Sequence, residues 1–143
     1  MLAYQDMLGQ HYQQVLMAFP EFNRVAIDEG LAGSEQDYYL ATANGTMECN
    51  LDEQGRVSSL FVQFHRGAPA VLDIHQQTSL SSLIQRFGEP VAKGRGRRNE
   101  VFGNLGAWVK FQAGSLFIHL EFEASQPLFK MMTVMTNNVG SST

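Results

Sequence analysis

The sequence has a single cysteine, no long apolar run and no large excess of one charge. Cys49 is alone among 143 residues, which excludes an intramolecular disulfide and a multi-cysteine metal site and is typical of a reducing compartment. No stretch approaches the roughly 20 apolar residues of a membrane-spanning helix. The first residues, MLAYQDMLGQHYQQ, lack the basic start and apolar run of a signal peptide. We therefore expect a cytoplasmic protein.

Sequence signatures of catalysis and of nucleic-acid binding are also missing. The formal net charge of −4 is too mild to indicate a nucleic-acid binder, and any such patch would have to be local. There is no GxSxG turn for a serine nucleophile, and no HExxH spacing for zinc. The histidines show no metal-ligand spacing; they are His11, His65, His75 and His119. We expect no metal, no cofactor and no enzymatic activity.

The chain instead contains two similar halves. When Gly45 is aligned on Gly114, apolar residues fall on apolar residues: Tyr39 on Trp108, Met47 on Leu116, Cys49 on Ile118 and Leu51 on Leu120. Each half reads as one helix followed by three strands, and such a unit cannot bury its apolar face alone. The pattern predicts an α+β fold of two pseudo-repeated α-β-β-β units, forming an antiparallel sheet with the helices packed on one face.

The predicted boundaries give a single domain over 1–143. Its parts are repeat 1 over 4–64, a connector over 65–77, repeat 2 over 78–136 and a frayed tail over 137–143. Apolar spacing predicts helices over 4–19, ended by Pro20, and over 80–87, capped by Thr78 or Ser79 and stopped by Gly88. Polar loops are expected over 23–37 and 91–106. Strands are expected over 38–43, 46–52, 57–64, 108–112, 115–123 and 128–136, with a two-residue Asn44-Gly45 hairpin turn.

Strand alternation divides the hairpin residues between two faces, because successive side chains of a strand point in opposite directions. One set is apolar and is expected in the core, as in Leu116, Ile118 and Leu120. The other set mixes aromatic residues with carboxylates and amides, as protein interfaces do. The predicted partner-binding residues are Tyr39, Glu48, Asn50, Asp52, Trp108, Lys110, Phe117, His119 and Glu121. The alternative is that Trp108 and Phe117 cover a second minor core or lie under the loop over 91–106.

The charged segments indicate a partner or a reaction less clearly than the strand pattern does. Acidic residues outnumber basic ones between Asn23 and Glu53, which would favour encounter with a basic partner such as a nuclease toxin. The basic run from Lys93 to Arg98 lacks the spacing of a phosphate-binding loop and is interpreted as a solvated loop. His119 and Glu121, two apart on one strand, could form an acid–base pair, although such neighbours commonly share a solvated face.

Residues 80–135 resemble small bacterial immunity proteins that neutralise polymorphic, colicin-like or contact-dependent toxins. The resemblance rests on a helix end, Phe87-Gly88-Glu89-Pro90, followed by Trp108 to Phe111 and by alternating apolar residues from Leu116 to Phe122. The doubled helix-and-strand layout also resembles the tandem fold of the β-lactamase inhibitor protein. These resemblances imply inhibition by occlusion of a partner's active site.

The expected function is therefore a non-catalytic immunity protein that binds a cognate bacterial toxin and contacts neither membrane nor nucleic acid directly. One alternative is a secretion chaperone or assembly adaptor that binds a protein client and forms a homodimer through Met131 to Met135. A second is a small-ligand binder or enzyme that uses His119, Glu121 and the basic loop.

Overall fold

The computed structural model of the chain describes residues 3–27, 37–95, 97–99, 103–124 and 126–136. Helix α1 spans Tyr12–Ala18 and helix α2 spans Leu80–Phe87, and two short 3-10 turns cover Tyr4–Met7 and Phe64–Arg66. None of the helices in these ranges has both the length and the apolar character needed to cross a membrane.

The described ranges contain ten strands, which are β1 Phe22–Ile27, β2 Asp37–Thr42, β3 Met47–Leu51, β4 Val57–Gln63, β5 Ala92–Gly94, β6 Arg97–Asn99, β7 Gly103–Leu105, β8 Trp108–Ala113, β9 Leu116–Phe122 and β10 Phe129–Thr136. Eight of these strands form one antiparallel sheet, in the order β1-β2-β3-β4-β10-β9-β8-β5, while β6 and β7 pair separately. The antiparallel sheet together with α1 and α2 confirms the predicted α+β class.

The core lies on one face of this sheet. Cross-strand pairing places Leu40, Cys49, Leu60, Val134, Ile118 and Phe111 in one row across six strands, and all six are fully buried. Val15 of α1 and Leu83 of α2 are buried in the same cluster. The ring centroids of Phe87 and Phe111 are 5.8 Å apart. Both helices therefore pack on this face, which we call the core face.

The predicted single helix over 4–19 is wrong, because the helical conformation is interrupted at Gly9. Gly9 has a φ of +83°, which interrupts the helix, and its N–H donates to the carbonyl of Val57 at 2.8 Å. Val57 in turn donates to the carbonyl of Gln10 at 2.9 Å. Helix α1 restarts after His11, whose Nδ1 accepts from the N–H of Gln13 at 3.3 Å. The hydrogen bonds to Val57 of β4 therefore interrupt the helix, although the apolar spacing of this segment is that of one continuous helix.

Both predicted polar loops contain strands, so the predicted three strands per half are also wrong. β1 begins at Phe22 and takes up the first residues of the expected loop over 23–37, and it pairs with β2 along its full length, from Phe22↔Thr42 to Ile27↔Asp37. β5, β6 and β7 lie within the expected loop over 91–106. Short strands in charged, glycine-rich surroundings carry little periodic signal, since their pairing depends on a neighbour distant in sequence.

The turns were predicted with mixed success. The Asn44-Gly45 turn has four residues rather than two, because β2 ends at Thr42 and β3 begins at Met47. Asn44 Oδ1 closes it by accepting from Thr46 N–H at 3.2 Å and Thr46 Oγ1 at 2.8 Å. The predicted caps of α2 are confirmed: Ser79 Oγ accepts from Ser82 N–H at 3.1 Å, and Gly88 follows the helix with a φ of +87°. The expected tail over 137–143 lies outside the described residues.

Candidate protein-binding face

The face of the sheet opposite the core face, here called the open face, carries a continuous row of side chains across the strands. In register the row runs through Ala92, Lys110, His119, Thr133, Phe61, Glu48, Ala41 and Asn23. Two flanking rows run through Gly94, Trp108, Glu121, Met131 and Gln63, and through Gln112, Phe117, Met135, Ser59, Asn50, Tyr39 and Val25. The open face therefore mixes aromatic, charged and amide groups.

Eight of the nine predicted binding residues lie together on the open face. All but Asp52 belong to the three rows, and most are half-buried, with Asn50 exposed. The expected strand position of Asp52 is wrong, because β3 ends at Leu51 and Asp52 begins a turn. Its Oδ1 accepts from the N–H groups of Gln54 and Arg56, both at 2.9 Å. Asp52 therefore holds the β3–β4 turn.

Trp108 and His119 form an aromatic platform near the β5 edge. Their ring centroids are 5.2 Å apart and their planes differ by 23°, which is a stacked arrangement. Gly94 lies opposite Trp108 on β5, and a Cβ built there would lie 2.5 Å from Cε2 of the indole. Only a residue without a side chain leaves room for the indole in this position. The sequence did not reveal the role of Gly94, which was assigned to a solvated basic loop.

The charged groups of the open face are not paired with each other. Lys110 Nζ lies 4.3 Å from the ring centroid of Phe117, a cation–π contact. Within the part of the chain that the structure describes, no hydrogen bond or ion pair reaches the carboxylate of Glu48 or of Glu121. The open face thus presents two half-buried carboxylates beside aromatic rings.

His119 is held in its neutral form by its surroundings. Burial lowers the pKa of its imidazole below the ordinary value of 6.5, the charge of Glu121 raises it, and the charge of Lys110 lowers it again. Proton transfer between His119 and Glu121 would require a hydrogen bond. None joins these two side chains in the described residues.

Cys49 lies directly behind the open face, in the core row. It is fully buried, and burial raises the pKa of its thiol to about 12, with a smaller contribution from the charge of Glu48. Because the thiolate is the reactive species, this thiol is inert at neutral pH. Cys49 therefore acts as a small apolar core residue, as its strand parity predicted.

The other three histidines take part in local hydrogen bonds. His11 caps α1, His65 Nδ1 lies 3.2 Å from the carbonyl oxygen of Lys130, and His75 Nδ1 accepts from the N–H of Gln77 at 3.1 Å. The described residues contain no group of three or more side chains placed to hold a metal ion. In the basic run, Lys93 and Arg95 are exposed. Gly96 and the side chains of Arg97 and Arg98 lie outside the described part.

The described residues also line clefts that the sequence did not predict. One, of about 730 Å³, lies between the first 3-10 turn and the segment over 70–73, with Arg86 at its edge. Tyr4 OH donates to Glu21 Oε2 there at 2.6 Å, and this bond raises the pKa of Tyr4 to about 12, with smaller contributions from burial and from the charge of Glu21.

The second cleft, of about 900 Å³, lies where α1 meets the ends of the first strands. Arg24 lies there between two tyrosines, 5.4 Å from the ring centroid of Tyr12 and 4.2 Å from that of Tyr38. Asp52 and Glu53 line the same cleft. Asp37 of the predicted acidic stretch lines this cleft as well, whereas Asp28, Glu29 and Glu35 lie outside the described residues.

Comparison with known proteins gives a fold but no family. No family model matches the chain. Among solved structures, the chain is similar to an extracellular protein containing an SCP domain from Bacillus anthracis str. Ames, with a TM-score of 0.57 and 9% identity. The similarity covers 96% of this chain and 47% of that chain, so this chain spans about half the length of that protein. At this identity the similarity shows a shared fold alone.

Proposed function

We propose that this protein is a non-catalytic binding protein that uses the open face to hold a protein partner. The observation that carries the proposal is the composition of that face. Half-buried Trp108 and Phe117 share that face with Glu48 and Glu121, whose carboxylates make no hydrogen bond or ion pair within the described residues. Aromatic anchors surrounded by polar groups are the residues that supply most binding energy in protein interfaces.

The size of the open face fits this role. Seven strand spacings of about 4.8 Å and about five residues of about 3.3 Å each give a projected area of roughly 550 Å². A standard interface buries about 800 Å² on each partner. The open face would therefore supply most of one interface, and adjoining loops would supply the remainder.

We further propose that the partner is a cognate bacterial toxin, whose active site the open face occludes, and that the protein acts in the cytoplasm. This part rests on the resemblance of residues 80–135 to immunity proteins. The negative charge of Glu48 and Glu121 supports a partner with a basic surface, because complementary charge accelerates encounter and disfavours wrong partners.

The two halves of the chain are proposed to be pseudo-repeats within a single domain. The strand order supports this, since β4 and β10 meet at the centre and β1 and β5 lie at the two edges. Each half then has one helix followed by four strands of the main sheet. Duplication would explain why the same apolar pattern follows Tyr39 and Trp108.

A gene-pair experiment tests the toxin assignment. The reading frame that neighbours this gene would be expressed from an inducible promoter in a heterologous bacterium, with and without this protein. We expect growth arrest that is relieved by the wild-type protein, relieved poorly by Trp108→Ala, and relieved fully by Met17→Ala, which alters a residue that is 85% exposed on α1. A neighbour that is harmless, or toxicity that this protein does not relieve, would refute the toxin assignment.

A chaperone or adaptor function is the second candidate, and two methionines on the open face favour it. Met131 and Met135 both lie on the open face, on either side of Thr133. Flexible thioether side chains suit surfaces that adapt to several clients or to a second copy of the chain. Light scattering after size exclusion separates these cases: a dimer that dissociates in Met135→Glu would favour the adaptor.

A further inference from the structure

Trp108 and Glu121 are direct neighbours across β8 and β9. They occupy opposing positions in the antiparallel register and both belong to the open face. Side chains at opposing positions have Cβ atoms about 4.5–5.5 Å apart, which places both within reach of a single ligand group. The stacked His119 ring supports the indole.

Among the residues that the structure describes, no cation pairs with this carboxylate. Lys110 is flanked on β9 by Phe117 and Glu121, yet its Nζ lies over the Phe117 ring. His119, the other basic group beside Glu121, is kept neutral by burial. A half-buried carboxylate that lacks a partner gains more from an incoming cation than a fully solvated one does.

An arginine side chain matches both neighbours. Its planar guanidinium stacks on an aromatic face, while its N–H groups reach a carboxylate in a fixed, bidentate geometry. A lysine ammonium is a compact, strongly hydrated charge that cannot do both equally well. We propose that Trp108 and Glu121 form a subsite for an arginine side chain of the protein partner. This inference rests on the proposed function of the open face and adds the partner's chemistry.

The subsite can be tested without the partner, because Trp108 is the only tryptophan in the sequence. Its indole N–H gives a single resolved NMR signal, which would be followed while N-acetyl-arginine amide is added to the ¹⁵N-labelled protein. We expect a saturable shift with a Kd on the order of 1 mM, equivalent to about −4 kcal/mol. N-acetyl-citrulline amide has nearly the same shape without the charge and should bind at least about tenfold more weakly.

Two carboxylate variants make the test specific. Glu121→Gln should weaken arginine binding by about tenfold, whereas Glu53→Gln, which alters an exposed carboxylate outside the open face, should leave it unchanged. The amide spectrum of each variant would confirm that it is folded. Equal binding of arginine and citrulline, or equal effects of the two variants, would overturn the subsite.

The outcomes also separate this inference from the proposed function. If Trp108→Ala abolishes toxin binding but arginine does not move the indole signal, the open face binds its partner without this subsite. If arginine binds with the expected dependence on Glu121 while Trp108→Ala leaves toxin binding intact, the subsite stands and the proposed interface fails.

Discussion

Met131 and Met132 provide a matched test of which face of the sheet is the core. They are adjacent on β10, so they point to opposite faces. Met132 is fully buried and pairs with Val62 and Leu120, whereas Met131 is half-buried and pairs with Gln63 and Glu121. Glutamine has nearly the shape of methionine, so replacing each one with glutamine changes polarity with little change in volume.

The expected costs differ because of what surrounds each side chain. Met132→Gln buries an amide without a partner and loses apolar burial, which should lower the free energy of unfolding by about 3 kcal/mol. Met131→Gln places an amide beside polar neighbours and water, where a substitution should cost less than about 1 kcal/mol. At roughly 2–4 °C per kcal/mol for a domain near this size, the Tm should fall by about 6–12 °C and by less than about 4 °C, respectively.

Calorimetry and urea unfolding of the two variants beside the wild type would measure both effects. Comparable destabilisation by Met131→Gln and Met132→Gln would refute the reasoning. It would show that the open face is covered by the chain itself, as in the alternative of a second minor core. A large effect confined to Met132→Gln would leave the open face free for a partner.

Three further predictions follow from single residues. Cys49 should resist a thiol reagent in the native protein and react on unfolding in urea; rapid native-state labelling would contradict its burial. The unfolded chain protonates His119 at its ordinary pKa of 6.5, before the folded protein does. Stability should therefore fall as the pH drops below that value. His119→Gln should remove this component, and an unchanged profile would reject the assignment. Gly94→Ala should displace the indole of Trp108 and shift its fluorescence emission, whereas Gly67→Ala should not.

The strands with clear alternation were the predictable part of the fold. Along much of β3, β8, β9 and β10, alternate residues are apolar and buried, so side-chain parity identified both faces before any pairing was known. These residues are Met47, Cys49, Val109, Phe111, Ile118, Leu120, Met132 and Val134. The caps of α2 were equally predictable, since Ser79 and Gly88 act through their immediate neighbours. Features that depend only on residues close in sequence could therefore be predicted from the sequence.

The remaining features depend on contacts between distant segments. Gly9 breaks the first helix because it pairs with Val57, and β1 exists because β2 lies beside it. Asp52 has the parity of a strand residue but closes a turn instead. The need for glycine at position 94 arises only because β5 pairs with β8 and brings Gly94 against the indole of Trp108. Cross-strand register decides these positions, and it cannot be deduced from one segment alone.

Titration calorimetry with the product of the neighbouring reading frame, the proposed toxin, tests the central claim most directly. Trp108→Ala should weaken binding by at least about 30-fold, the effect of losing an interface hot spot of about 2 kcal/mol. Met17→Ala, on the far side of the core, should leave affinity unchanged. An unchanged affinity for Trp108→Ala, or a comparable loss for Met17→Ala, would contradict the account.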